Sequence, residues 1–160
     1  METNNQEIYT KLVPFTICGH CIELSSTDKS ILDYTFEDDE YNNSLCKNIS
    51  EQLKNGEIKG NLNTFSWQIV TFIVRTEWSI GDGVFSYITG VFNTPEKAQA
   101  KMEEVIKQDI EINSYHKQAV ENNENGYYTI EKGDMYYTVY ETESDNNWFF
   151  TVKINKVNLQ

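Results

Sequence analysis

The sequence has 160 residues, a length typical of one domain that buries enough apolar surface to fold without disulfides or metal ions. Its 13 basic and 25 acidic residues give a formal net charge of −12, which repels nucleic-acid phosphates and anionic lipids and favours encounter with a basic protein surface. Ten Tyr, eight Phe and three Trp supply a core, so we predict a single domain over residues 7–160, preceded by a disordered tail at residues 1–6.

The first predicted elements are strands and a helical turn. Residues 8–24 are apolar and β-branched, which is typical of two short strands or of one strand interrupted near Pro14. The sequence STDKSILDY, residues 26–34, predicts a helical turn that is capped by Ser26 or Thr27.

An acidic loop and a short helix are expected next. The sequence FEDDEYNNS, residues 36–44, is rich in acidic residues and asparagine, and it indicates an exposed loop. In the sequence SLCKNISEQLKNG that overlaps its end, Ser44 stands where an N-cap would and Gly56 where a C-terminal cap would. Cys46 then lies on the apolar face of this helix and is interpreted as a small buried hydrophobic residue.

The strongest strand signal is at residues 64–78, TFSWQIVTFIVRTEW. Its aromatic and β-branched residues place apolar side chains on both faces, which indicates a central strand that a helix covers on at least one side. The sequence SIGDG has the composition of a turn, and residues 84–93 are predicted to return as the partner strand of a hairpin.

A long helix is predicted directly after this hairpin. Thr94 is a candidate N-cap, Pro95 suits the first helical position, and Glu96 places a negative charge near the positive end of the helix. A mostly apolar stripe at helical spacing is formed by Ala98, Met102, Val105, Ile106, Asp109 and Ile110. This stripe predicts that the helix packs on the hairpin.

The C-terminal part of the sequence predicts three strands in a meander, separated by turns rich in Gly, Asp and Asn. The expected fold is therefore α+β. Its sheet is mainly antiparallel, built from the central hairpin and the C-terminal three-strand meander, with one long and one or two short helices packed on one face.

The stretch Cys18-Gly19-His20-Cys21 resembles the CxxC redox motif of thioredoxin-like proteins, and its four residues match the motif of protein disulfide isomerase. In that family a helix N-terminus lowers the pKa of the first thiol. The resemblance implies a thiol redox protein, but Ile17 stands where that family has tryptophan. In an extended chain Cys18 and Cys21 point to opposite faces, so a disulfide or shared metal would need a turn at Gly19. A strand with two partly buried thiols is the favoured interpretation.

A zinc site is the other chemical interpretation of the cysteines. It would combine Cys18 and Cys21 with Cys46, His20 or His116, but no second CxxC or HxxxH pair is present. His116 is predicted to be an exposed histidine near a helix end. GxSxG, Walker, GxGxxG and HExxH motifs are also missing, so the expectation is a non-enzymatic protein without cofactor or metal.

The sequence also bears on location. Three cysteines are an odd number at low density, which argues against a secreted disulfide framework. The first ten residues show no basic region followed by an apolar run, and the apolar stretch at residues 69–74 is too short to span a bilayer. We therefore predict a cytoplasmic protein.

Acidic and aromatic residues together indicate a protein-binding surface. Negative charges steer a basic partner, while aromatic rings bury area on contact, and turn-proximal tryptophans can act as anchors. The candidate binding residues are Glu37, Asp38, Asp39, Glu40, Tyr41, Trp78, Asp82 and Trp148.

The functional expectation is a small acidic inhibitor that occludes a basic protein partner, such as a nuclease or another nucleic-acid-binding protein. In composition the sequence looks like toxin-immunity proteins and phage anti-defence proteins. The alternatives are a thiol redox or zinc-dependent protein centred on the Cys18–Cys21 motif, and a structural protein that self-associates through the C-terminal meander.

Overall fold

The structure of the protein is a computed structural model. The described residues are 6–34, 39–80, 83–122, 126–142 and 148–160, with the backbone alone at residues 34, 39–41 and 80. The predicted tail thus lies outside the described residues except for residue 6. The chain divides into two compact units, unit 1 with residues 1–71 and 158–160 and unit 2 with residues 72–157.

The described residues form an α+β fold with eight strands and four helices. The strands are β1 (Tyr9–Leu12), β2 (Cys21–Ser26), β3 (Lys59–Leu62), β4 (Phe65–Ile80), β5 (Gly83–Phe92), β6 (Tyr128–Gly133), β7 (Tyr136–Glu141) and β8 (Phe149–Asn158). The helices are α1 (Lys29–Tyr34), α2 (Asp39–Lys54), α3 (Pro95–Ile112) and α4 (Ser114–Glu121). The strand pairs with a described register are antiparallel, so the predicted α+β class with a mainly antiparallel sheet is confirmed. Helices α2 and α3 are both long, whereas the sequence predicted one long helix.

Unit 1 is built around the first part of β4. This segment pairs with β2 through the register Leu24↔Trp67 and with β3 through the register Gly60↔Trp67, while β1 pairs with β2. Residues 8–24 therefore contain β1 and the start of β2, which agrees with the prediction of two short strands. The buried core of unit 1 consists of Val13, Ile17, Ile22, Leu24, Leu32, Leu45, Ile49, Phe65, Trp67 and Ile69.

The N-cap of α1 is Asp28, whereas the sequence predicted Ser26 or Thr27. Asp28 Oδ1 accepts hydrogen bonds from the backbone N–H of Ser30 (3.0 Å) and from its hydroxyl (2.6 Å). Ser26 Oγ instead accepts from the backbone N–H of Asp28 (3.1 Å) and so stabilises the turn that precedes the helix. The hydrogen bond from the Ser30 side chain also lowers the pKa of Asp28, as expected of a carboxylate that acts as an N-cap.

Helix α2 begins at residue 39, which corrects two predictions. The proposed exposed loop at 36–44 is helical from residue 39 onward, and Ser44 lies inside the helix rather than at its N-cap. The physical reason is tertiary packing: Leu45 and Ile49 are buried in the core of unit 1, and such packing outweighs the low helix propensity of the preceding asparagines. The predicted end is confirmed, because Gly56 follows the helix with φ +86°, a conformation that favours glycine.

A hydrogen bond ties α2 to β4 within unit 1. Trp67 is buried, and its indole N–H donates to Gln52 Oε1 at 2.8 Å. Gly60, the partner of Trp67 in β3, leaves room for this contact, because a Cβ at Gly60 would overlap Gln52 Oε1 and lie 2.6 Å from Trp67 Nε1. The absence of a side chain at this position is therefore a packing requirement.

We expect the Gly60→Ala substitution to lower the free energy of unfolding by about 1–3 kcal/mol, because the new methyl group displaces the Gln52 side chain and presses on the buried Trp67 ring. Urea denaturation followed by tryptophan fluorescence measures this change. The matched control is Lys59→Ala at the neighbouring exposed position, for which we expect a change within about 0.5 kcal/mol. Equal stability of the Gly60→Ala variant and the parent protein would contradict the packing requirement.

Unit 2 contains the hairpin of β4 and β5, helices α3 and α4, and the antiparallel meander β6–β7–β8. The predicted start of α3 is confirmed, since Thr94 Oγ1 accepts from the backbone N–H of Lys97 and Pro95 is the first helical residue. Asn113 ends α3 and caps α4, which the sequence did not predict as a separate helix. Helix α3 contacts β5, as predicted. The buried apolar residues of unit 2 are Phe72, Val74, Ala98, Met102, Val105, Ala119, Tyr137, Val139, Trp148, Phe150, Val152 and Ile154.

Within the described part of the chain, no helix has the length and apolar character needed to cross a membrane.

Candidate functional site

The hairpin of β4 and β5 carries the most distinctive surface of unit 2. We call the side chains of Trp78, Phe85 and Tyr87, which share one face of the hairpin, the aromatic hairpin surface. Phe85 and Tyr87 belong to β5 and are 52% and 46% exposed. Large apolar side chains that cluster on a surface usually mark a site of interaction.

Antiparallel pairing places three aromatic rings together at the end of this hairpin. Trp78 is directly opposite Phe85, and the two rings stack with centroids 5.3 Å apart. Tyr87 lies two residues further along β5 and meets the Trp78 ring edge-on at 5.4 Å. The rings therefore hold one another in fixed positions, so little conformational entropy is lost when a partner covers them.

The opposite face of the hairpin carries three exposed aliphatic residues among polar ones. Val84, Ile88 and Val91 are paired with Ser79, Arg75 and Ile73, residues of alternating positions in β4 that share one face. The register shifts beside Val74 and Arg75, where Thr89 is the additional residue of β5. This bulge keeps the aliphatic residues on one face on both sides of the irregularity.

A hydrogen bond beside the bulge joins the two strands of the hairpin. The hydroxyls of Thr76, which is buried, and Thr89 are 2.6 Å apart and share a hydrogen bond. Ser86 Oγ donates to Glu77 Oε1 at 3.3 Å across the same two strands. These contacts join the two strands of the hairpin beside the exposed rings.

The predicted acidic residues lie mostly where the structure gives no side-chain position. Glu37, Asp38 and Asp82 are outside the described residues. Asp39, Glu40 and Tyr41 belong to the first turn of α2, for which only the backbone is described. Their role in binding therefore stays a prediction.

The two tryptophans predicted as anchors have different environments. Trp78 is partly buried within the aromatic hairpin surface. Trp148 is only 4% exposed, and its ring packs between Tyr115, His116 and Tyr128. Trp148 therefore contributes to the core of unit 2, and we do not include it in the candidate binding surface.

The Cys18–Cys21 motif forms a tight turn rather than an extended strand. Ile17 and His20 exchange backbone hydrogen bonds of 2.9 and 3.0 Å, and the two residues between them, Cys18 and Gly19, have φ values of +50° and +79°. Positive φ at both central residues is typical of a type I′ hairpin turn. Cys18 is exposed and Cys21, the first residue of β2, is buried. The turn leads into a strand and not into a helix, which is unlike the thioredoxin arrangement.

All three cysteines lie in the described part of the chain, and none of them forms a disulfide. Cys46 is partly buried against the core of unit 1, and burial raises the pKa of its thiol, which opposes thiolate chemistry. Among the residues with described side chains, no three His, Cys, Asp or Glu residues are close enough to hold a metal ion.

His116 is at the centre of a buried hydrogen-bond network, so the prediction of an exposed histidine is wrong. Its side chain is fully buried in unit 2. Nδ1 lies 2.7 Å from Asp109 Oδ2, and Nε2 lies 2.8 Å from the hydroxyl of Tyr137. The ring also packs against Phe150 with centroids 4.9 Å apart.

This network links α3, α4 and β7 of unit 2. Burial, followed by the nearby Asp109 carboxylate, raises the pKa of Tyr137 to about 12, so its hydroxyl remains protonated at neutral pH. A protonated Tyr137 can donate to Nε2 while Nδ1–H donates to Asp109, which satisfies both ring nitrogens of a neutral His116. Since His116 is sealed from solvent, the arrangement is suited to joining secondary-structure elements and not to contacting a substrate.

Sequence reasoning missed this network although a signal was present. Asp109 occupies a core-facing position in the apolar stripe of α3, and a carboxylate at such a position needs a polar partner. His116 lies seven residues later. In one continuous helix the two side chains would be too far apart for a hydrogen bond, so they can meet only if α3 ends between them. Asn113 causes that break.

Comparisons with protein families, with curated proteins and with solved structures find no match for this chain, so the candidate site rests on its own geometry.

Proposed function

We propose that this protein is a non-catalytic binding protein that uses the aromatic hairpin surface to cover a basic region of a protein partner. The observation that carries the proposal is the cluster of the Trp78, Phe85 and Tyr87 rings on one face of the hairpin, in which Phe85 and Tyr87 are about half exposed. Aromatic residues of this kind dominate the energetics of protein interfaces.

The charge of the chain supports a basic partner. A net charge of −12 accelerates encounter with a positive surface, while the apolar residues of the hairpin provide the area that becomes buried. Acidic residues exceed basic ones in unit 2 as well as in the chain as a whole, so the attraction does not depend on residues 37–41 alone. A partner that itself binds nucleic acid, such as a nuclease, has the required positive surface, and covering it would inhibit that protein.

The experiment is affinity capture with the tagged full-length protein from a lysate of its own cells, eluted by stepwise increase in salt. We expect a basic protein that elutes with salt, and at least roughly tenfold weaker binding to a Phe85→Ala, Tyr87→Ala double variant. Surface plasmon resonance with the purified partner measures the dissociation constants.

The matched control replaces two exposed apolar residues of the same unit that lie outside the hairpin, Ile112→Ala with Tyr127→Ala. Unchanged binding by this control, together with equal melting temperatures of both double variants, would attribute the loss to the hairpin. Retention of the partner by the hairpin variant, or capture of an acidic partner that resists salt, would contradict the proposal.

Two alternatives from the sequence have distinct outcomes in the same preparation. If only a second copy of the chain is recovered and sedimentation shows a concentration-dependent dimer, the protein is a self-associating one. A thiol redox or zinc protein would instead show bound zinc by metal analysis, or a cysteine that reacts rapidly at neutral pH, and neither depends on Phe85.

A further inference from the structure

Unit 1 contains a cleft of about 430 Å³ between α2 and the segment that joins β3 to β4. This volume lies within the roughly 300–1,000 Å³ range of small-molecule sites in proteins. Five lining residues come from one face of α2, Asn55 follows the end of that helix, and the other five are residues 61–65. The lining residues all belong to unit 1, and none of them is part of the aromatic hairpin surface.

The lining of the cleft is dominated by carboxamide side chains. Five of the eleven lining residues carry one: Asn48, Gln52, Asn55, Asn61 and Asn63. Leu45 and Phe65, which are buried, form an apolar base. A lining of this composition recognises a polar ligand by hydrogen bonds, because carboxamides both donate and accept.

Two of the carboxamides are oriented by neighbouring donors. The indole N–H of Trp67 can only donate, so the Gln52 atom that it contacts at 2.8 Å must be the oxygen. Ser66 Oγ similarly donates to Asn61 Oδ1 at 3.0 Å. Because each oxygen already accepts a hydrogen bond within the protein, we expect the side-chain NH₂ groups of Gln52 and Asn61 to be the atoms that bind a ligand.

Glu51 adds an acceptor to these donors. Among the described residues that line the cleft it is the one ionisable side chain, and none of them is a lysine, an arginine or a histidine. An anionic ligand would meet Glu51 without a compensating cation, which disfavours phosphates and sugar acids. A cationic ligand could pair with Glu51, but it has no acceptor for the NH₂ groups of Gln52 and Asn61. The ligand that suits both kinds of group is neutral and has several hydroxyls that donate and accept.

We propose that the cleft between α2 and the β3–β4 segment is a binding site for a neutral carbohydrate, in which Gln52 and Asn61 donate to ring oxygens or hydroxyls and Glu51 accepts from hydroxyls. Asn48, Asn55 and Asn63 supply further donors and acceptors around the same opening. The open shape of the cleft limits the buried area, so binding is weak and reversible.

The three tryptophans of the chain provide the readout, because each gives one indole N–H signal in a ¹⁵N–¹H spectrum. The full-length protein is titrated with maltose, cellobiose and N,N′-diacetylchitobiose to roughly 20 mM, above a dissociation constant of about 1 mM for an open site. We expect at least one disaccharide to shift the Trp67 indole signal saturably, because the indole N–H is hydrogen-bonded to Gln52. The indole signals of Trp78 and Trp148 should not shift.

The decisive variant is Gln52→Glu, which keeps an acceptor for Trp67 but replaces the ligand-facing NH₂ with a second negative charge beside Glu51. We expect at least roughly tenfold weaker binding of the same disaccharide. The matched control is Gln118→Glu on the exposed surface of α4, which should bind as the parent does. No shift of Trp67 with any of the three disaccharides, equal binding by Gln52→Glu, or stronger binding of glucuronate or putrescine would overturn the proposal.

Discussion

Replacement of His116 by alanine is expected to lower the free energy of unfolding by roughly 3 kcal/mol, the largest effect of any single substitution considered for this protein. The ring is fully buried, so its removal leaves a cavity beside Phe150. It also removes two hydrogen bonds and leaves the hydroxyl of Tyr137 without its partner. A loss of this size is a large fraction of the about 5–15 kcal/mol that stabilises a typical domain.

Urea denaturation at pH 7 measures this loss, and the chain provides its own control. His20, the only other histidine, lies exposed in the turn after Cys18, so His20→Ala should change the stability by less than about 0.5 kcal/mol. His116→Leu keeps much of the side-chain volume without the hydrogen bonds, and we expect an intermediate loss. If His116→Ala costs no more than His20→Ala, the network does not hold α3, α4 and β7 together.

Local signals in the sequence were enough to locate several elements. Thr94 and Pro95 start α3 through interactions inside its own first turn, so no knowledge of the rest of the fold was needed. Gly56 marks the end of α2 for the same reason, since positive φ is a property of one residue. These positions were predicted correctly because their causes lie within a few residues.

Features that depend on distant residues could not be predicted in the same way. The start of α2 is set by packing in unit 1, which outweighs the turn-like composition of its first residues. The turn at Cys18 and Gly19 is closed by the Ile17–His20 backbone pair, and the sequence alone allowed an extended strand there. Both errors came from local propensity where tertiary contacts decide.

The candidate site shows the same division. The sequence located the hairpin and identified Trp78, because turn residues and strand composition are local signals. It did not identify Phe85, Tyr87 or Ile88 as exposed, since apolar residues on both faces of a strand are more typical of a buried one. Exposure depends on which faces other elements cover, and only the structure gives that information.

Alkaline pH is expected to destabilise the fold through Tyr137. Burial raises the pKa of its hydroxyl from an ordinary value of about 10 to about 12 in the folded protein. Because the folded pKa is the higher one, the stabilisation is complete below pH 10 and is lost as the pH rises from about 10 to about 12. Each pKa unit corresponds to about 1.4 kcal/mol, so we expect a loss of roughly 2–3 kcal/mol over this interval from Tyr137.

Comparison with Tyr137→Phe separates this contribution from those of other tyrosines. At pH 8 the variant should be less stable than the parent, because His116 Nε2 loses its partner, but its stability should fall less steeply between pH 10 and pH 12. Burial also raises the pKa of Tyr128, so the variant should retain part of the alkaline dependence. The exposed control Tyr127→Phe should follow the parent curve, since Tyr137 is unchanged in it. Parallel curves for Tyr137→Phe and the parent would show that Tyr137 does not ionise during alkaline unfolding, and that the hydroxyl bonded to His116 is not held in its protonated form by burial.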